Sequence, residues 1–342
     1  MDKIYKYQKI SDTLDKYNCT KNDCKKLHKV KWVAMEKVHG SNFAIYYNKG
    51  KINFSKRNSV LEDDEWFYNY HLIKKELINN TRKLASFLIS DTFIIYGELF
   101  GGFYPEDTEK WEGPVGSRLN EKGVSIIPFE ERAIQEGIYY SPNVEYMVFD
   151  IVKISEDNEH FVNYTEMIDL AKKSGFFYAR PLKLDSFENI LEYNLNFNSK
   201  IPKWLGLNKL PDGTNIAEGI VIKPVQNIYV ENKKGEKVRC LIKIKNKKFI
   251  EVSEEFDMEE AKKSYKFIFH QLVNQNRFQS VISKIGKLTQ ENKDEIIEEL
   301  YIDTFNDFYE NYNLNYGNFK KVEEFVKNIC TILVEDNMEV QI

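Results

Sequence analysis

Lys37 is the residue from which a reaction can be built. It stands in Glu36-Lys37-Val38-His39-Gly40-Ser41-Asn42, directly after the alternating run Lys31-Trp32-Val33-Ala34-Met35. A lysine carried off a strand into a glycine turn among small polar residues offers an amine to an incoming phosphate. By itself the tetrapeptide is weak, since a surface lysine in a hairpin is the ordinary account. Its weight comes from the segments that follow in order: Ser55-Lys56-Arg57, Gly97-Glu98-Leu99-Phe100-Gly101, Phe149-Asp150-Ile151, Glu218-Gly219-Ile220-Val221-Ile222-Lys223 and Ile242-Lys243-Ile244-Lys245.

Each segment has a physical logic. Lys243 and Lys245 lie two apart in a strand-like run, so both point to one face. That arrangement suits neutralisation of adjacent phosphates. Glu98 and Glu218 each sit beside a glycine at a strand end, where backbone or ligand comes close. A lysine must lose its proton to act as a nucleophile, and neighbouring cations favour that loss.

Taken together, the segments resemble the covalent nucleotidyltransferases, the superfamily of ATP-dependent ligases and RNA capping enzymes. The histidine of Lys37-Val38-His39-Gly40, with Gly97-Glu98-Leu99-Phe100-Gly101 and Lys243-Ile244-Lys245-Asn246-Lys247-Lys248-Phe249, is similar to the RNA ligase 2 family (the phage T4 and trypanosome RNA-editing type). The similarity runs from Tyr7-Gln8-Lys9-Ile10 into the tail. It implies an ATP-dependent RNA ligase using Mg²⁺ or Mn²⁺, with Lys37 as nucleophile and a lysyl-AMP intermediate. Lys243 and Lys245 are then assigned to the α-phosphate and the departing pyrophosphate, and His39 to the pyrophosphate. Glu218 is implied as a metal ligand, Glu98 as a ribose or metal contact, and Asn42 as a contact through metal-bound water. Phe149 would stack on adenine, Glu36 would help read it through its backbone, and Arg57 would contact the sugar and an RNA phosphate. Lys223 is a further phosphate candidate. The implied partners are ATP and RNA, as a nicked duplex or as ends on a template. A GTP-dependent capping guanylyltransferase is an alternative, opposed by His39 and by the helical tail. A non-catalytic RNA-binding member of the fold is another.

The elements that position these residues are expected to be mixed. Alternation marks strands at Lys31–Lys37, Asn42–Tyr47, Lys51–Lys56, Thr92–Leu99, Glu145–Val152, Gly219–Lys223 and Val238–Lys245. Helical stretches fall near Trp66–Ile78, Tyr164–Ser174 and Ser186–Tyr193. This is an α+β pattern of antiparallel sheets with helices, which the resemblance makes a nucleotidyltransferase (ATP-grasp-like) domain over 1–252. Residues 253–342 read as an all-helical C-terminal domain. Asp257 is expected to cap its first helix, with apolar spacing at Tyr265, Ile268, Phe269, Leu272 and Val273. Further helices are expected at Gln279–Ile285, Gln290–Tyr312 and Asn318–Val334. Arg277 and Lys284 on that tail are candidates to touch RNA. The Gly- and Pro-rich stretch Phe103–Pro142 reads as a surface excursion.

Bulk composition narrows the class. The chain has 342 residues, 42% apolar and 30% charged, with net charge −4. That balance argues against a general nucleic-acid binder, but the charge is uneven. Residues 1–253 carry 39 basic and 35 acidic side chains, and Lys223 to Lys248 carry nine Lys or Arg against two Glu. A local basic strip is what phosphate contacts need. There is no P-loop, no zinc-finger pattern and no apolar run long enough to span a membrane. Cys19, Cys24, Cys240 and Cys330 form no disulfide framework, and Cys19, Cys24 and His28 lack a fourth ligand for zinc. A monomer is expected, without a secretion signal, in the cytoplasm or as a viral protein in a host's cytoplasm.

Overall fold

Alternating apolar residues in the first part of the chain build two sheets and a small hairpin. The computed structural model describes residues 5–63, 65–105, 133–135, 137–156, 158–249, 269, 272–311 and 319–339. In chain order the elements begin with α1 (Lys21–Lys29), β1 (Trp32–Glu36), β2 (Ser41–Asn48), β3 (Lys51–Lys56), α2 (Lys74–Phe87) and β4 (Thr92–Phe103). There follow β5 (Ser141–Ser155), β6 (Asn158–Phe161), α3 (Tyr164–Ser174), β7 (Phe177–Tyr178), β8 (Pro181–Asp185), α4 (Phe187–Leu191) and α5 (Ile201–Trp204). Four strands close the set: β9 (Gly219–Pro224), β10 (Tyr229–Glu231), β11 (Lys237–Arg239) and β12 (Ile242–Lys245).

One sheet has the order β12-β9-β1-β8, and the other β3-β2-β4-β5-β6, with β7 added parallel to β5. The other strand pairings among the described residues are antiparallel. The four-stranded sheet buries Trp32, Ala34, Ile220, Ile222 and Ile242 with Leu27, Phe187 and Ile190 from α1 and α4. The longer sheet buries Ala44, Tyr46, Ile94, Tyr96 and Val152 under Tyr5 and Tyr7.

Three expectations need correction. The run Val238–Lys245 is two strands, β11 paired with β10 and β12 with β9, because the Leu241 backbone between them bonds to the Tyr17 hydroxyl, its carbonyl accepting at 2.6 Å and its N–H donating at 3.2 Å. The helix expected from Trp66 begins only at Lys74, since Tyr68 and Asn69 have φ of 47° and 57°, a left-handed backbone no helix passes through. Helix α1 is absent from the expected set. It starts with a capping box in which the Thr20 side chain accepts from the Asp23 backbone and the Asp23 carboxylate from that of Thr20. His28 on α1 pairs with Glu188 on α4. All four cysteines are free.

Behind the strands lies a buried ionic knot. Asp150 accepts from Lys223 at 2.7 Å, from Arg239 at 2.9 Å and from the hydroxyl of Tyr7. The Arg239 guanidinium also lies 3.5 Å from the centre of the Phe161 ring. Burial alone would raise the Asp150 carboxyl, but Arg239 and Lys223 hold it well below the usual carboxylate range. Removing one member of such a knot leaves buried charge without compensation. Asp150→Ala is therefore expected to cost about 3–5 kcal/mol of folding stability, measured by urea unfolding.

The described residues from Lys247 onward form a separate compact unit. Its helices are Gln275–Ile285, Lys293–Asn311 and Phe319–Glu339. Phe269, Leu272, Phe278, Val281, Leu300, Val326 and Val334 are among its core residues. The expected domain boundary and the Asp257 cap lie outside the described residues, as does the 106–132 part of the surface excursion. Arg277 is no RNA contact. It is fully buried, ion-paired to Asp303 at 3.0 Å and Asp307 at 2.6 Å, and donates to the Leu272 carbonyl at 2.7 Å. Lys284 is likewise committed, to Asp303 at 2.8 Å and Glu299 at 3.3 Å. Among the described residues no helix is long and apolar enough to cross a membrane.

Candidate active site

All five residues of β1 are buried, so the chain leaves that strand on a rigid base. Lys37 follows at once. Its backbone N–H donates to the Gly219 carbonyl at 2.9 Å, and its ammonium meets Glu218 at 2.7 Å. Gly40 is required by space: a Cβ there would stand 2.4 Å from the Leu99 oxygen and 2.8 Å from Glu98 Cγ. The glycine of Lys-x-His-Gly thus lets the Lys37–Gly40 loop lie on β4. At Gly219, φ is +150°, and a Cβ would meet the Ile244 oxygen at 2.1 Å. That close approach seats β9 against β12.

Glu218 is the hub of the site. It is 2% exposed and contacts Lys37, His39 Nδ1 at 3.5 Å and Lys245 at 3.6 Å. Burial would push its carboxyl up, yet Lys37, His39 and Lys245 hold it well below the usual range. Lys37 is therefore in direct contact with an anion, where the sequence pointed to cations. Lys243 shares its strand face with Lys245, while Ile242 and Ile244 pack into the apolar cluster on the other side.

The other sheet contributes Asn42 and Glu98, direct cross-strand partners on β2 and β4. Burial lifts Glu98 to about 8; Lys37 opposes this, Glu218 adds to it and Arg57 opposes it. Between the ordinary carboxyl value of 4.5 and about 8, the folded protein keeps a proton that the unfolded chain releases. Stability contributed by this group therefore falls as pH rises through that window and levels off above it. Glu98→Gln, neutral at every pH, is expected to flatten the dependence of melting temperature on pH. An unchanged profile in thermal melts would remove the assignment.

One expected site residue is placed differently, and one was missed. Lys223 is 4% exposed, bonded to Asp150 and to the Phe149 carbonyl at 3.1 Å, so it braces β5 and is not open to a phosphate. The Glu36 side chain is structural. Its Oε2 accepts from the Lys200 N–H at 2.8 Å, and burial lifts the carboxyl to about 7 against bonds from Ser199 and Lys200. Phe149 is half-buried, its ring packed edge-on to Tyr7 at 5.0 Å between centroids. The missed residue is Tyr140, buried, whose hydroxyl accepts from the His39 N–H at 2.9 Å and so anchors the Lys37–Gly40 loop. No local signal in Ile138-Tyr139-Tyr140-Ser141 distinguishes it from a core tyrosine.

A lysine, two carboxylates and a two-lysine strand, gathered where two antiparallel sheets meet, form a site suited to handling phosphates. The RNA ligase family matches residues 30–245, and the C-terminal region of T4 RNA ligase 2 matches residues 244–331. The chain belongs to the RNA ligase family. It is similar to mitochondrial RNA-editing ligase 1 of Trypanosoma brucei brucei, 32% identical over 257 residues, covering 68% of this chain and 53% of that protein. It is also similar to RNA-editing ligase 2 of the same organism, 30% identical over 208 residues, covering 56% of this chain and 48% of the other. The chain thus spans about half the length of these relatives. A solved structure of Naegleria gruberi RNA ligase with PPi aligns over 72% of this chain and 57% of its own, with 16% identity and a TM-score of 0.42.

Proposed function

We propose that this chain is an ATP-dependent RNA ligase that joins a 5′-phosphate to a 3′-hydroxyl through a lysyl-AMP intermediate. The observation that carries the reading is the convergence of Lys37, Glu218 and Lys245 within ion-pair distance, from three separate segments. Lys37 Nζ attacks the α-phosphorus of ATP. A P–N bond forms, the bond to the bridging oxygen breaks, and pyrophosphate leaves. An oxygen of the RNA 5′-phosphate then attacks the same phosphorus and releases the amine. The neighbouring 3′-hydroxyl finally displaces AMP and completes the phosphodiester. Splitting one condensation into activated steps is the gain of covalent catalysis.

The chain's own groups have separable roles in this scheme. Glu218 and Tyr140 hold the amine and its loop before attack. Lys243 and Lys245 take up charge on the phosphates, the main service a protein renders to phosphoryl transfer. His39 is assigned to the departing pyrophosphate, Arg57 and Phe149 to the nucleoside, and Asn42 to a metal-bound water. Among the described residues no group of three or more His, Cys, Asp or Glu is placed to hold a metal ion. Two carboxylates, Glu98 and Glu218, with Asn42 opposite Glu98, instead fit a Mg²⁺ that keeps most of its waters. Such an ion, or Mn²⁺, would supply charge neutralisation at the phosphates.

The preferred substrate is a nick in duplex RNA, or ends held together by a template, bound by a monomer. A nick holds the two ends side by side, which removes most of the entropic barrier. Incubation with ATP labelled at the α-phosphate and Mg²⁺, followed by a nicked-duplex sealing assay, tests the reading. It predicts label on the protein and then in the RNA product; label from GTP in place of ATP would overturn it.

A further inference from the structure

Arg180 is placed unlike any other arginine described in this chain. It lies at the crossing between the two sheets, after β7 and immediately before β8. The residue before it is pinned to β5 by a bond from the Ala179 N–H to the Val148 carbonyl at 2.8 Å. The residue after it, Pro181, pairs with Met35, two positions before Lys37. Since β1 lies between β8 and β9, Arg180 and Glu218 flank the end of β1 from opposite sides.

Its guanidinium is held by aromatic rings. The central carbon stands 5.7 Å from the Phe177 centroid, 5.6 Å from Tyr178 and 5.7 Å from Trp204. Nε is buried without a hydrogen-bond partner, while the side chain as a whole is only half-buried. Among the described residues it has no ion pair. A buried donor left unpaired is costly, and a cation kept clear of carboxylates beside a phosphate-handling site calls for an anion. The bracing is tied to the nucleophile's strand as well. Trp204 belongs to α5, whose preceding residue Lys200 is gripped by Glu36, the neighbour of Lys37. Lys200 and Lys203 are exposed beside it, also without ion-pair partners among the described residues.

We propose that Arg180, held flat by Phe177, Tyr178 and Trp204, receives a backbone phosphodiester of the RNA, apart from the nucleotide pocket. An arginine fork immobilised by rings meets two phosphate oxygens at little entropic cost. The assignment rests on the ligase reading for its location and on the Arg180 surroundings for its chemistry.

The test uses the full chain and a labelled nicked RNA duplex, with Kd measured over a series of salt concentrations. Arg180→Gln is expected to weaken binding about tenfold at low salt and to reduce the slope of log Kd against log salt by about one phosphate's worth. Arg180→Lys should keep that slope, because the charge stays, yet bind several-fold more weakly, because the fork is lost. A wild-type slope in Arg180→Gln, even with weaker binding, overturns the proposal and makes the residue a packing element. Should Arg180→Gln not fold, wild-type affinity in Arg180→Lys overturns it instead. Labelling with ATP separates the two claims. A wild-type chain that takes no label while Arg180→Gln loses the slope ends the ligase reading and leaves the RNA contact. A chain that takes label while the slope is unchanged ends the Arg180 assignment alone.

Discussion

Lys37→Ala incubated with ATP labelled at the α-phosphate and Mg²⁺ is expected to carry no label, and to seal no nick unless supplied with RNA already adenylylated at its 5′ end. The reasoning is local. The amine of Lys37 and its methylene stem are lost, and that side chain is 23% exposed with one strong contact, to Glu218. The backbone bond from its N–H to Gly219 remains, so the fold should persist in circular dichroism. The wild-type adduct should be a phosphoramidate. Protonation of its nitrogen makes the amine a leaving group, so brief acid treatment should strip the label. A mutant labelled at wild-type yield removes Lys37 as nucleophile.

Glu218→Gln should be nearly as severe for a different reason. The side chain keeps its size but no longer carries the charge that Lys37, His39 and Lys245 surround. The amine then loses its orienting partner, the cations repel one another, and a metal ligand is weakened. Adenylate formation is expected to fall by roughly a hundredfold or more. Raised Mg²⁺ should recover part of this loss, since the proposed roles of Glu218 include metal binding. Full activity in Glu218→Gln at ordinary Mg²⁺, measured as the initial rate of labelling, would show that the hub is structural.

The grouping of Lys37, His39, Glu218 and Lys245 was legible in the sequence, and the reason is physical. Its key residues lie in or directly beside strands, where spacing in the chain translates directly into position. The Lys243-Ile244-Lys245 alternation put both cations on one face, and the structure has the isoleucines on the other. What escaped reading depends on burial, which no local pattern reports. Lys223 follows the same motif as Glu218, yet its ammonium is drawn inward by Asp150, a residue 73 positions away. Arg277 looked like an exposed tail cation, but Asp303 and Asp307, one turn apart on a later helix, enclose it. Tyr140 acts through a single bond to a distant backbone N–H. Helix α1 was hidden because its lysine-rich composition gives little apolar periodicity, and its capping pair was the only cue.

The break at Cys240 and Leu241 has a bearing on tolerance to change. Two neighbouring side chains drop into different apolar clusters, and this sets the phase of the strand that follows. Deleting one residue there would turn Ile242 and Ile244 to the cleft and Lys243 and Lys245 into hydrocarbon. Length variation at this corner is thus incompatible with both folding and phosphate chemistry, whereas the turn at Gly235, where a Cβ would meet nothing within 4 Å, has room to lengthen freely.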